Sequence, residues 1–297
     1  MLLPIFRISD LTTVNIMKKL ILTSLLCVSF IVLVYAQNLV RGTVINVDNG
    51  EPIAYVSIGV VATSVGTVSN EKGEFNLMLT KTINDADSVK FSIVGYNDVM
   101  YKVADFNKLF SHGVLRISMK RKEIALVEVV IKPRKNKEKL LGNKTESKML
   151  GGGFGTKDVG SEIGVIIPVK NEEAYLEGLN FFISHNNYDS LTFRVKLYKL
   201  KNRMPDEAIL NANVIIKIGK VTGIISADLT KYNIVVSEDF LACIEWLDRK
   251  GPSKGRILNI SAALFGSTYI KTASQGVWMV KKGAGLGINV KANITKD

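Results

Sequence analysis

The chain has 297 residues, a formal net charge of +12, a 47% hydrophobic and 22% charged composition, and two cysteines. These fractions belong to an ordinary globular protein. The cysteine count excludes an intramolecular disulfide once Cys27 leaves with a leader, and the basic run has none of the interleaved aromatics that nucleic-acid binding would use.

Residues 1–16 have no pattern of their own and read as an upstream start. Met17 opens a second beginning, with a basic pair at Lys18 and Lys19, an apolar or small-residue run over 20–35, and small residues at Val34 and Ala36 before Gln37. That is the layout of a secretory signal peptide over 17–36. The run falls short of the ~20 residues that span a bilayer, so cleavage is expected in preference to a kept anchor. No transmembrane segment is expected afterwards. Leu26 stands where a lipobox needs a small residue, so Cys27 is not expected to carry lipid. About 260 residues then remain, enough for one or two domains with real cores. Cys243, in the apolar run 240–244, reads as a small buried hydrophobe.

Over 37–131, short β patterns alternate with turn clusters. The predicted strands are Leu39–Asn46, Ile53–Val60, Ser64–Val68, Glu74–Leu79, Ser88–Val94, Asp98–Val103, Val114–Met119 and Ile124–Ile131. Turns fall at 48–52, 70–73 and 95–98, and Gly73 can supply the positive φ that closes the second of them. Many short strands with regular turns predict a sandwich, and no long amphipathic helix competes. The Asn70–Gly73 turn has one acidic residue, too few oxygens for a calcium loop.

The residues Gly42-Thr-Val, Gly50-Glu-Pro-Ile-Ala-Tyr-Val-Ser-Ile58, Gly66-Thr-Val-Ser-Asn-Glu-Lys-Gly-Glu-Phe75 and Phe91-Ser-Ile-Val-Gly-Tyr96 follow one another in a recognisable order. Residues 40–131 resemble the carboxypeptidase regulatory-like domain family. The resemblance implies a transthyretin-like Greek-key β-sandwich. In exported proteins of Gram-negative bacteria such a domain often precedes an outer-membrane receptor barrel and ends in a segment similar to Leu126–Ile131, but no plug or long barrel follows here. Nor does the family name imply an activity. A zinc carboxypeptidase needs two histidines and a carboxylate around the metal, and His112 and His185 lie in no such context. No cofactor or metal is expected.

Between Lys132 and Lys148 stand Lys132, Arg134, Lys135, Lys137, Lys139, Lys144 and Lys148, against Glu138 and Glu146. With Pro133 near its start and Gly151–Gly153 beyond its end, 132–150 is expected to be a basic linker. It is also a candidate for contact with anionic surfaces.

Residues 151–297 are expected to form a second, jelly-roll-like β-sandwich, which makes the chain all-β with two tandem sandwiches. The predicted strands are Ser161–Val169, Leu176–Ser184, Thr192–Leu200, Val214–Ile218, Gly223–Asp228, Asn233–Val236, Phe240–Leu247, Ile257–Phe265, Tyr269–Lys271, Gly276–Val280 and Leu286–Ile294. In Thr192–Leu200 the alternation puts Phe193, Val195 and Leu197 on one face and Arg194, Lys196 and Tyr198 on a solvated one. Asn202–Asp206 and Lys250–Gly255 read as loops. Gly151–Gly160 fits neither a P-loop nor a dinucleotide fingerprint. This half loosely resembles jelly-roll modules of exported bacterial surface proteins, galactose-binding-like in outline. Exposed rings can stack on sugars, and Tyr188, Tyr198, Trp246 and Trp278 are the candidate ligand-binding residues.

The expectation is a non-enzymatic exported protein of the periplasm, outer membrane or cell surface, binding a glycan or another envelope protein. Nucleic acid is not expected as a partner. The alternatives are a glycan-acting hydrolase, which would need two carboxylates in one cleft, or an accessory subunit of an outer-membrane uptake system. A barrel in the membrane ranks last, because it needs ~9–11-residue strands and the second half reads as shorter ones.

Overall fold

The computed structural model describes residues 17–21, 23, 38–80, 82–110, 114–122, 136–154, 159–170, 172–251 and 257–295. The chain divides into one unit, Met1–Asn38, and a second, Leu39–Asp297. In the first, residues 17–21 and 23 are helical, and the rest of the expected leader, with Cys27, lies outside the described residues. No described helix is long and apolar enough to cross a membrane.

The second unit opens with β1 (Asn38–Asn46), β2 (Ser57–Val60), β3 (Gly66–Val68), β4 (Glu74–Leu79), β5 (Ser88–Ser92), β6 (Val99–Lys102), helix α1 (Val103–Phe110) and β7 (Leu115–Met119). These strands form two sheets, β4-β1-β7 and β3-β2-β5-β6, with β1 and β7 parallel. Strict alternation in β4 and β7 turns Phe75, Leu77 and Leu79, and Leu115, Ile117 and Met119, into the space between the sheets. There they meet Val44, Ile58, Phe91 and Phe106. Each such side chain removed from water stabilises the sandwich by about 1.5–3 kcal/mol. Phe75 and Phe91 meet edge to face at 5.6 Å.

The Asn70–Gly73 turn closes as expected. The Asn70 side-chain oxygen accepts the Lys72 and Glu74 amides at 2.9 Å. Gly73 has φ +72°, and a Cβ there would lie 2.6 Å from the Val44 carbonyl. Helix α1 was not expected. At eight residues it is too short to show a helical period, and it is held by Val103 and Phe106, three apart, in the core. The predicted strand 124–131 and His112 lie outside the described residues.

The second sandwich comprises β8 (Asn136–Gly142), β9 (Gly151–Gly152), β10 (Glu162–Ile167), β11 (Ala174–Asn186), β12 (Ser190–Lys201), β13 (Met204–Ala208), β14 (Val214–Gly219), β15 (Gly223–Asp228), β16 (Ile234–Val236), β17 (Phe240–Lys250), β18 (Leu258–Lys271), β19 (Trp278–Leu286) and β20 (Ile288–Thr295). One layer runs β13-β12-β17-β10-β18. The path continues through β18 into β11-β20-β8. Strand β18 therefore serves both layers: Ile260 pairs with Ile183 of β11, and Ile270 pairs with Ile163 of β10. Leu179, Phe181, Phe193, Val195, Trp246 and Val290 fill the space between.

Three expectations need correction. First, 132–150 is not a linker throughout, because 136–142 is strand β8, paired along β20 from Asn289↔Gly142 to Thr295↔Asn136. Its lysines find partners, as Lys139 does with Glu172 at 2.8 Å, so a charged edge strand looked like a spacer. Second, part of the expected loop 202–206 is β13. Asn202 and Arg203 have φ of 52° and 60°, the left-handed pair of a tight hairpin turn. Third, the strands are not short: β11, β12, β17 and β18 have 13, 12, 11 and 14 residues. Bulges and turn-like residues inside them, such as Phe265-Gly266, broke the pattern in sequence. The apolar side chains of these long strands fill an interior core.

Candidate functional site

Glu162, Arg194, Lys196, Glu245 and Lys271 come together through strand register. Arg194 on β12 pairs with Glu245 on β17, Glu245 with Glu162 on β10, and Glu162 with Lys271 on β18. Cross-strand partners share a face, so four neighbouring strands lay a row of alternating cation, two carboxylates and cation across one side of the sheet. Two carboxylates directly opposite would repel. Lys196 resolves this, its Nζ lying 2.8 Å from Glu162 Oε1 and 3.0 Å from Glu245 Oε2. Arg194 Nε donates to Glu245 at 2.8 Å, and Lys271 Nζ lies 2.6 Å from Glu162. Tyr198 OH donates to Glu162 Oε2 at 2.8 Å.

This face was expected to be solvated, and it is not. The side chains of Arg194 and Glu245 are 3% and 0% exposed, because the first sandwich covers the sheet. Ser57 of β2 donates to Glu245 Oε1 and accepts from Arg194 Nη2, both at 3.1 Å. Gln275 Nε2 donates to Ser92 Oγ at 2.7 Å, and Asn213 Nδ2 to the Val94 carbonyl at 3.3 Å. An apolar patch of Tyr55, Val68 and Leu247 completes the contact. The turn between β18 and β19 plugs into the β2–β3 hairpin, where Ala62 N donates to Gln275 O at 2.9 Å. Gly59 and Gly66 admit it. A Cβ on either would stand 2.2 or 2.4 Å from the Ser274 carbonyl.

Beside this contact lies a cleft of about 530 Å³, shared by both sandwiches. Ser57, Lys90 and Asp98 come from the first; Glu162, Tyr198 and Trp278 come from the second. The Tyr198 and Trp278 rings meet edge to face at 5.7 Å, with Lys271 Nζ 4.9 Å from the Trp278 centroid. Of the four predicted ligand-binding residues, these two line the cleft. The other two are corrected. Trp246 is 0% and Tyr188 2% exposed. They pack on each other at 5.5 Å, and Trp246 also packs on Phe154 at 4.9 Å, so both are core residues. The sequence carries one signal for the ion row. Glu245 sits inside the apolar run 240–247, where a charge must find a partner.

Burial pushes the Glu162 carboxyl up, but the Lys196 and Lys271 ammoniums outweigh it and hold it at about 2. Glu245 is likewise pushed up by burial and brought below the ordinary range by Arg194 and Lys196. Burial, then Glu162, raises the Tyr198 phenol well above its usual value. Carboxyls depressed by folding stabilise the fold above their unfolded value, and that stability is lost as pH falls through the folded value. Urea midpoints are therefore expected to hold steady down to about pH 4.5 and to fall between there and pH 2, the range bounded for Glu162 by its ordinary 4.5 and its folded value of about 2. In Glu162→Gln this acid-side drop shrinks.

Cys243 is buried, its thiol pushed well up by burial, and acts as packing. His185 is exposed on β11. No cluster that could hold a metal ion occurs among the described residues.

Two β-sandwiches joined by a buried ion row and a plugged hairpin make this an all-β, two-sandwich protein. Residues 40–131 match the family model described as CarboxypepD_reg-like domain, so the first sandwich is a domain of that family. Domains of this kind are regulatory, not catalytic. A search of curated proteins found no match to the chain.

Proposed function

We propose that the chain is an exported cell-envelope protein whose two sandwiches act together as a non-catalytic binding module, with the ligand held in the cleft between them. The observation that carries this is the composite cleft. It is walled by both sandwiches, carries the Tyr198–Trp278 ring pair, and has its buried carboxylate, Glu162, already committed to Lys196 and Lys271. Rings with polar neighbours suit a glycan or a peptide side chain. The leader pattern over 17–36 supports export. A thermal-shift screen against glycans and peptides tests the reading, followed by turnover assays on any hit. Trp278→Ala is expected to weaken binding of a hit about tenfold or more, the weight of one aromatic anchor. A hit that binds Trp278→Ala as tightly as wild type would remove the cleft from the reading.

A glycan-acting hydrolase is the second reading, favoured by the two carboxylates that Lys196 bridges. Glycosidase carboxyl pairs stand about 5–9.5 Å apart. That reading needs one of them protonated as a general acid, and both are held ionised at neutral pH. Turnover of any glycan by wild type, abolished in Glu162→Gln, would reverse the ranking.

A further inference from the structure

We propose that the bulged end of the β18–β19 hairpin docks on an anionic lipid surface. The pairing of β18 with β19 slips between Leu264 and Ser267, leaving Phe265 and Gly266 in a bulge. Phe265 has φ 66°, a left-handed conformation that a bulky aromatic rarely adopts. It is also 97% exposed, and Leu264 beside it is 64% exposed. An aromatic ring kept outside the core on a disfavoured backbone contributes nothing to the fold, and such strain persists where a position has another use.

Met149, 99% exposed, lies on the same end, since Leu150 next to it accepts the amide of Ala262 two residues before Leu264. Cations surround this apolar tip. Lys282 and Lys281 stand opposite Ser267 and Thr268, Lys148 adjoins Met149, and Arg203 shares a groove of about 490 Å³ with Phe265. All four are exposed and make no ion pair among the described residues. Asp239 lines the same groove, its Oδ1 accepting the Val169 amide at 2.8 Å, with Glu238 beside it in sequence, and Glu146 stands two residues from Lys148. Exposed apolar side chains ringed by surplus cations fit the boundary between acyl chains and anionic headgroups.

The test is co-sedimentation of the chain from Gln37, which keeps the compact unit Leu39–Asp297, with vesicles of phosphatidylglycerol in phosphatidylcholine and of phosphatidylcholine alone. Binding is expected only to the anionic vesicles and is expected to weaken steeply with salt. Phe265→Asn suits the left-handed backbone, so it keeps the melting temperature, and with Leu264→Ser it is expected to cut binding at least about tenfold. Lys281→Glu and Lys282→Glu are each expected to cut it by about fivefold or more. Three results would each overturn the proposal: equal binding to neutral vesicles, no binding, or full binding by the Phe265 variant. A wild-type dimer in solution that Phe265→Asn dissolves would instead give the patch to a second copy of the chain. The cleft is untouched by these variants, so failure here and failure of the ligand screen remain distinct.

Discussion

Gly59→Ala undocks the two sandwiches. The new methyl would sit 2.2 Å from the Ser274 carbonyl and 3.0 Å from the Val65 carbonyl. Neither is a side-chain end that can swing aside. Gly66→Ala meets the same turn from the next strand, 2.4 Å from Ser274 O and 2.9 Å from its nitrogen. Inserting a methylene into packed structure costs about 1–3 kcal/mol, and rigid backbone on the other side puts these two at the upper end. A fall in melting temperature of roughly 6–12 °C follows for a unit of this size. Gly219→Ala is the control. Its Cβ would find only Asp189 O, at 3.7 Å, and its stability is expected within about 0.5 kcal/mol of wild type. Hydrogen exchange separates undocking from unfolding. The Ala62 amide, bonded to Gln275 O, should lose protection while the Val44 amide, bonded to Gly73 O inside the first sandwich, keeps it. Wild-type protection at Ala62 in both variants would mean that the hairpin turn is not docked there.

Gly66 also shows how far the sequence could be read. It opens the run Gly66–Phe75, which carries the family resemblance, and the fold of the first sandwich's described strands was legible there because alternation and turn chemistry are local. Phe75 and Leu77 point inward because their neighbours in sequence do not. What Gly66 touches in the second sandwich lies some 200 residues away, in Ser274, and no local pattern encodes that. The same limit explains Arg194 and Lys196. Period two assigned them correctly to one face of β12, but a single strand does not say whether that face meets water or another sheet. Tyr198 and Trp278 stand out in sequence as rings and line a cleft. Trp246 and Tyr188 stand out in the same way and are core, because ring type alone does not separate the two fates.

Glu245→Ala tests what that covered face is worth. Glu245 takes hydrogen bonds from Arg194 and Ser57, and its Oε2 lies 3.0 Å from the Lys196 ammonium. Removing it leaves the Arg194 guanidinium, 3% exposed, without a carboxylate under a second sandwich. Breaking a buried pair from one side costs about 3–5 kcal/mol, chiefly the penalty of the stranded charge, and chemical denaturation should read that loss. Arg194→Met combined with Glu245→Leu removes both charges, and buried pairs so replaced are often neutral or gain about 1–4 kcal/mol. The double variant is therefore expected to recover most of what the single one loses. Lys196 and Glu162 still satisfy each other in it, since their 2.8 Å contact does not pass through Glu245. A single variant costing under about 1 kcal/mol would behave as exposed pairs do, and the interface would then be open to water. If instead the double variant is as unstable as the single, the row's value lies in the hydrogen bonds through Ser57, one of which Met cannot donate and the other of which Leu cannot accept.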